Sequence, residues 1–333
     1  MNLREIGEFG FIEELKKIYQ SNNFDIIKGI GDDCAVFINE KNTAVLLTTD
    51  MLVENVHFEI STLSPKELGF KSLSVNLSDI AAMGGIPKNV LVSLAIPEKI
   101  DYEFLKDFYY GMDELINEYN MNLIGGDTNF SRSDLIINIV ITGEVEKDEV
   151  IYRNGAKIND KIFVTGYLGD SSLGLDVCLR KLKLDKYNEN YFRNVHIKPK
   201  AQIKEGSVIA KSKLANSMID ISDGLASDLM HICCQSGVGA VIFENQIPYS
   251  EFMKNVFNQK NINPLDYALY GGEDFCLLFT VSPENKKKLC EIFQSHVNTN
   301  LFEIGEVIQG NRIELVDKSG DRKVLSKSGY RHF

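Results

Sequence analysis

Acidic residues set among glycine, serine and threonine recur along the 333-residue chain. They are Asp32-Asp33 in GIGDDCA, Asp50 after TAVLLTT, Asp79 in NLSDIAAMGG, Asp127 in GGDT, Asp220 and Asp223 in DISDGL, and Glu273-Asp274 in YGGEDF. Most fall at strand ends or glycine turns, where functional groups gather in α/β proteins. Taken singly, each reads equally well as a turn residue bonding its own backbone, and Ser222 or Asp223 suits the cap of a following helix. Taken together they raise a charge problem, because no Lys or Arg stands inside these motifs. Two carboxylates converging to about 5 Å repel by roughly 3 kcal/mol at an effective dielectric near 20. Converging acids therefore call for bound cations. All-oxygen donors with Ser and Thr hydroxyls suit Mg2+ or Mn2+, whereas His and Cys do not cluster as Zn2+ would require. Cations beside glycine turns point to phosphate chemistry. The P-loop pattern and the kinase glycine loop are nevertheless absent, and GYLGDSSLG at 166–174 is a weak phosphate-turn signal.

The elements that must carry these groups alternate in type. The spacing predicts helices over 3–20, 64–83, 101–119, 171–182, 201–211, 225–235 and 283–293. It predicts strands at 26–27, 35–38, 43–49, 90–96, 122–124, 135–145, 162–165, 218–221, 240–243, 275–281, 301–307 and 312–316. The polar stretch 187–200 reads as a loop. In the helix over 64–83, Ser64-Pro65 forms a start signal and Gly84-Gly85 a stop. Leu68, Ser72, Val75, Asp79, Ala82 and Met83 share one stripe, so the Asp79 carboxylate points inward. Glu67, Lys71, Ser74 and Ser78 fall on another face, which reads as solvent. Charges cluster at 146–149, and a division there gives two α+β halves, 1–147 and 148–333, each with a sheet and packed helices.

Hydrophobic content of 44%, charged content of 25% and a net charge of -11 describe a soluble globular chain. That balance argues against a non-specific nucleic-acid binder, and the apolar runs are too short to span a membrane. The six cysteines show no CxxC pair, which suits reduced thiols in the cytoplasm. The start, MNLREIGEFG, lacks the apolar core of a secretory signal.

The motifs GIGDDCA at 29–35, TTDMLVENVHF at 48–58, NLSDIAAMGGIP at 76–87, GGDT at 125–128, DISDGL at 220–225 and YGGEDFCLLFT at 270–280 together form a long, ordered pattern. With the terminal GYRHF at 329–333 it resembles the thiamine-monophosphate kinase family, in the superfamily of aminoimidazole-ribonucleotide and selenophosphate synthetases. The resemblance implies a two-domain α/β chain with a mixed sheet in each domain, and a homodimer formed through the N-terminal sheet. It implies ATP and several Mg2+ ions in a cleft between the domains, and transfer of the γ-phosphoryl group to thiamine monophosphate, giving thiamine diphosphate and ADP. Asp33, Thr48, Thr49, Asp50, Asp79, Asp127, Asp220 and Asp223 match metal positions, Thr48 and Thr49 through hydroxyl or backbone oxygen. Tyr110, Gly126, Asp127, Arg153 and Ser222 match positions that hold ATP. His57, Glu273 and Tyr330 match positions that contact the acceptor. Without the resemblance, His57 reads as a hydrogen-bonded surface residue, Tyr330 as a packing aromatic and Arg153 as a solvated charge. Asn55, Asn129 and Phe275-Cys276 depart from the family pattern, but no metal position is lost.

The acceptor is already anionic, so neither a general base nor a covalent intermediate is expected, and direct in-line transfer is the expected mechanism. Two alternatives are another ATP-dependent enzyme of the superfamily and a nucleotide-binding regulator that has lost turnover. Selenophosphate synthetase would carry a reactive Cys in the first segment, and residues 1–28 contain none.

Overall fold

The computed structural model describes residues 3–19, 25–260 and 262–325. Numbered in chain order, the strands are β1 (Ile26–Lys28), β2 (Ala35–Ile38), β3 (Thr43–Val53), β4 (Ile86–Pro97), β5 (Asn122–Ser131), β6 (Ile136–Glu146), β7 (Lys161–Thr165), β8 (Ala215–Asp220), β9 (Gly239–Phe243), β10 (Leu277–Val281), β11 (Leu301–Ile308), β12 (Ile313–Val316) and β13 (Arg322–Val324). The helices are α1 (Leu3–Ile18), α2 (Pro65–Ala82), α3 (Tyr102–Glu118), α4 (Asp170–Cys178), α5 (Lys186–Ile197), α6 (Ile203–Ser212), α7 (Leu225–Ser236), α8 (Glu251–Lys260), α9 (Pro264–Tyr270) and α10 (Pro283–His296). This is a mixed α/β chain with two sheets.

The first sheet runs β1-β2-β3-β6-β4-β5, with β4 and β5 parallel and the other pairs antiparallel. Period-2 alternation on β3 buries Leu46, Thr48 and Leu52 on one face and exposes Leu47 and Met51 on the other. Helices α2 and α3 lie together, and α2 packs against β3, β4 and β6. They approach closely because Gly69 faces the Phe108 carbonyl and Gly111 faces that of Lys66, each where a Cβ would stand 1.9 Å away. The second sheet runs β13-β12-β9-β11-β7-β10-β8, with β9 and β12 its one parallel pair.

Helix α2 begins as its sequence predicts. Ser64 accepts from the Glu67 amide and Glu67 returns the bond to the Ser64 amide, a capping box followed by Pro65. Gly84, at φ 76°, ends it. Its presumed solvent face is the main departure: Lys71, Ser74 and Ser78 are buried, because α6 and the second sheet pack there. The core that fills the first sheet accordingly continues through Ala81 and Met83 into Ile209, Ala210, Met218 and Phe279.

Four other expectations change. Residues 187–200 are mostly the helix α5, started by Asp185 accepting from the Tyr187 and Asn188 amides, with Phe192, His196 and Ile197 buried along one side. The predicted strand over 122–124 extends to Ser131, carried by parallel pairing with β4 through the GGDT motif. Helices α8 and α9 lie where no helix was predicted; each is short, and α9 is a single seven-residue segment started by Asn263 and Pro264. Helix α1 is broken at Gly7, which sits at φ 69°.

Candidate active site

Three elements bring the acidic motifs together. Strand β3 points Thr48 and Asp50 to its inner face and Thr49 to the other, where Thr49 Oγ1 donates to Asn138 Oδ1 at 3.2 Å. Helix α2 holds that strand through Asn76, whose Oδ1 accepts from the Asp50 amide at 3.0 Å. The Thr48 hydroxyl donates to Asp79 Oδ2. From the second half of the chain, Asp220 at the end of β8 accepts from Ser78 Oγ at 2.6 Å. As a result, one carboxylate oxygen from each of Asp33, Asp79 and Asp220 lies within 4.8 Å of the others.

The charges in this cluster are strongly coupled. Burial pushes the Asp33 carboxyl up to about 7, with Asp220 adding to the rise and Arg153 opposing it. Burial likewise raises Asp50 and Asp220 to about 6. Asp79 is raised well above the usual carboxylate range, by burial first and then by Asp50, Asp220 and Asp33. Part of the charge is met by cations from outside the motifs. Arg153, distant in sequence, grips Asp33 Oδ1 through Nε at 3.0 Å and Nη2 at 2.5 Å, and Lys28 lies 2.8 Å from Asp32. One guanidinium still faces four carboxyl groups. Asp33 Oδ2 is buried and has no hydrogen-bond partner among the described residues. An orphaned carboxylate oxygen beside Asp79 and Asp220 is a donor set that fits a hard divalent cation.

A nucleophilic thiol is not part of this arrangement. Cys34 is buried beside the cluster, donates to the Asp79 carbonyl at 3.5 Å, and is pushed well above the usual thiol range by burial.

The turn after β8 is braced from two directions. Asp228 Oδ2 accepts from the Asp223 amide at 3.1 Å and the Gly224 amide at 3.0 Å. On the other side, the Glu273 amide donates to the Ser222 carbonyl at 2.8 Å, and the Phe275 amide to the Ile221 carbonyl at 2.9 Å. Burial raises the Glu273 carboxyl, but Lys71 Nζ, 2.9 Å away, leads the interactions that hold it below the usual range. His57 Nδ1 accepts from the Val53 amide at 3.0 Å, which leaves Nε2 carrying the proton.

Not every matched residue joins the cluster. Gly126 and Asp127 lie on exposed β5 at the far edge of the first sheet, where Asn129 donates to Asp127 at 2.8 Å. They line a groove with Tyr109, and Tyr110 lines an adjoining groove that shares Tyr109. Thr49 has only its backbone oxygen on offer, since its hydroxyl faces the other side of the sheet. Tyr330 lies outside the described residues.

Sequence reasoning missed Lys71, Asn76, Ser78, His196 and Asp228. Ser74 and Ser78 follow Lys71 by three and seven residues, the spacing of a second helix face, and that regularity was the available signal. His196 offered none, since its helix was read as a loop.

The AIR synthase related protein, N-terminal domain, matches residues 31–145, and the corresponding C-terminal domain matches residues 157–318. The thiamine-monophosphate kinase of Buchnera aphidicola subsp. Schizaphis graminum is 39% identical over 330 residues, 99% of each chain. That of Bacillus subtilis is 38% identical over 309 residues, 92% of this chain and 93% of its own. The solved structure of AaThiL complexed with AMPPCP and TMP is 36% identical, covers 100% of this chain and 99% of that one, and superposes with a TM-score of 0.86.

Proposed function

Because the chain belongs to the AIR synthase related family and, within it, to the thiamine-monophosphate kinases, we propose that it transfers the γ-phosphoryl group of ATP to thiamine monophosphate, releasing thiamine diphosphate and ADP. The observation that carries this reading is the cluster of Asp33, Asp79 and Asp220, drawn from both halves of the chain to within 4.8 Å of one another. Such a cluster repels polyphosphate unless cations intervene, and with them it attracts it.

Mg2+ is the proposed metal, in several copies. Asp33, Asp50, Asp79, Asp220 and Asp223 would hold it, with the Thr48 hydroxyl and the Thr49 backbone oxygen, and Asp127 on β5 would take a copy apart from that cluster. Bound there, it neutralises charge on the phosphates. The chain's own residues orient the reactants. Arg153 and Ser222 face the phosphates of ATP, and Tyr110, Gly126 and Asp127 support the nucleotide from the β5 edge. His57, Glu273 and Tyr330 contact the acceptor. A terminal phosphate oxygen of the acceptor attacks the γ-phosphorus in line while the bond to the β-phosphate oxygen breaks. The acceptor oxygen is already deprotonated, so no side chain serves as base or nucleophile.

The proposed unit is a homodimer of two-domain chains, with domains at 1–147 and 148–333, located in the cytoplasm. Support for the dimer comes from the outer face of the first sheet. Leu47 and Met51 are exposed there, and β5 leaves ten residues of edge strand largely uncovered, with Phe130 71% exposed. No helix among the described residues is long and apolar enough to cross a membrane.

The test is ADP release with ATP and Mg2+ in the presence of thiamine monophosphate, free thiamine or no acceptor. Release with the monophosphate alone is the expected result. Tight ATP binding without release would favour a regulator instead.

A further inference from the structure

Helix α2 is fastened to the second half of the chain at four points on one face, the first being Glu67, which accepts from Arg193 Nη1 at 2.8 Å and Nη2 at 3.0 Å. Lys71 Nζ donates to Glu273 Oε2 at 2.9 Å, Ser74 Oγ to the Pro199 carbonyl at 2.5 Å, and Ser78 Oγ to Asp220 Oδ2 at 2.6 Å. Lys71 is only 2% exposed, a burial that a lysine tolerates only when its charge is met. Its ammonium also lies 3.2 Å from His196 Nε2. An ammonium only donates, so His196 Nε2 accepts and the ring proton sits on Nδ1. There it lies 3.2 Å from both Ser171 Oγ and Glu273 Oε2. Burial, with Lys71 adding to it, lowers His196 to about 4 and keeps the ring neutral. Lys71 is therefore the formal cation that meets Glu273 directly.

Glu273 carries that contact onward. It holds a left-handed backbone at φ 65°, and Phe275 does so at φ 48°. For residues other than glycine such a conformation is strained and persists only when the surroundings impose it. The imposing contacts are the two amide bonds from this segment to the Ile221 and Ser222 carbonyls. The segment thus lies directly against the turn that presents Asp220 and Asp223, while α2 presents Asp79 two turns beyond Lys71.

We propose that Lys71 is a positioning residue: through Glu273 it sets the Asp220–Asp223 turn in register with Asp79, and so tunes the affinity of the carboxylate cluster for divalent cations without touching cation or substrate. This rests on the cation-site reading made above. Removing the Lys71 charge leaves the helix and the cluster's own ligands in place but frees Glu273 and the turn behind it.

The test is Mn2+ binding to the full chain without nucleotide, read by electron paramagnetic resonance, beside the Mg2+ concentration that gives half-maximal ADP release. Lys71→Met is expected to weaken Mn2+ by about tenfold and to raise the Mg2+ midpoint, with kcat at saturating Mg2+ nearly unchanged. Lys71→Arg is expected to recover most of the affinity. Glu273→Gln is expected to weaken Mn2+ as Lys71→Met does, and the double variant to be no weaker than either single one, because both act through one contact. Should Lys71→Met fail to fold, Glu273→Gln carries the same measurement. A folded variant that binds Mn2+ within twofold of the unsubstituted chain overturns the proposal, as does additivity in the double variant. Absence of ADP release by the unsubstituted chain counts against the kinase reading alone, since the Mn2+ shift is read independently.

Discussion

Asp79→Asn separates a charge role from a packing role at the centre of the cluster. The Asp79 carboxylate has an oxygen within 4.8 Å of Asp33 and of Asp220. At an effective dielectric near 20, two unit charges at that distance repel by about 3 kcal/mol. The metal-free protein escapes part of this by keeping protons on the cluster, and Arg153 offsets another part at Asp33. Removing one charge therefore returns less than a full pair repulsion, about 1–3 kcal/mol in alkaline chelator. Asparagine keeps the shape, and its amide oxygen still accepts from the Thr48 hydroxyl. The variant is expected to melt several degrees higher than the parent in chelator, since about 1 kcal/mol shifts the midpoint by roughly 2–4 °C in a large domain. In Mg2+ the order reverses: the parent gains stability by linkage and the variant gains little. ADP release falls at least a hundredfold. Scanning calorimetry in chelator and in Mg2+, beside the ADP assay, reads all three. A variant that melts lower than the parent in chelator, or turns over normally at low Mg2+, refutes the reasoning.

The pH dependence of the metal-free protein follows from the raised carboxyls. Asp33 at about 7, and Asp50 and Asp220 at about 6, bind protons in the folded state that an unfolded chain has already released above about pH 4. Stability in chelator is thus expected to fall from about pH 4 through about pH 7 and to go on falling above it, where Asp79 and Asp274, the latter raised to about 8, still hold protons; denaturant titrations in chelator and in Mg2+ check that the cation flattens the slope. Arg153→Met leaves Asp33 without its guanidinium and is expected to cost the metal-free protein about 2 kcal/mol, with saturating Mg2+ restoring part of it in the same titrations. Gly206→Ala would set a Cβ 2.1 Å from the Ala81 carbonyl, so α6 must move off α2; a loss of about 1–3 kcal/mol and a raised Mg2+ midpoint are expected. Met51→Glu, on the open face of the first sheet, is expected to yield monomers in analytical ultracentrifugation, and an unchanged dimer would move the interface elsewhere.

How far the site was legible follows from what kind of signal each part carries. The start and stop of α2 are local chemistry, a capping box and a glycine, and they read directly from Ser64, Glu67 and Gly84. The long strands β3 and β6 announce themselves by β-branched and apolar runs. The inward direction of Asp79 also followed from helical period. What did not follow is tertiary. Lys71, Ser74 and Ser78 are polar, and polarity at helical spacing means solvent unless a second layer covers it. Nothing local to α2 states that α6 and the end of β8 provide that layer. Helix α5 was lost for the same reason, since its polar residues outnumber Phe192, His196 and Ile197, and these are buried only because other elements meet them. Arg153 shows the limit for charge: a motif without Lys or Arg is not a motif without a counter-ion, because the fold supplied one from 120 residues away in sequence.

The two faces of α2 explain why one helix organises the site. One face fixes β3 through Asn76 and the Thr48–Asp79 bond; the other fixes the second half of the chain through Lys71, Ser74 and Ser78. Asp79 stands where the two faces meet: Asp33 reaches it from within the first half, whereas Asp220 reaches it only when the second half is docked. If the cluster holds cations as proposed above, docking raises their affinity and the cation favours docking in return. Repulsion among the carboxylates opposes the closed arrangement until charge is neutralised, while the apolar continuity from Met83 through Ala210 to Phe279 opposes its opening. On the reading proposed above, a protein with a net charge of -11 holds polyphosphate without a basic surface, because the positive charge enters with ions held by Asp33, Asp79 and Asp220.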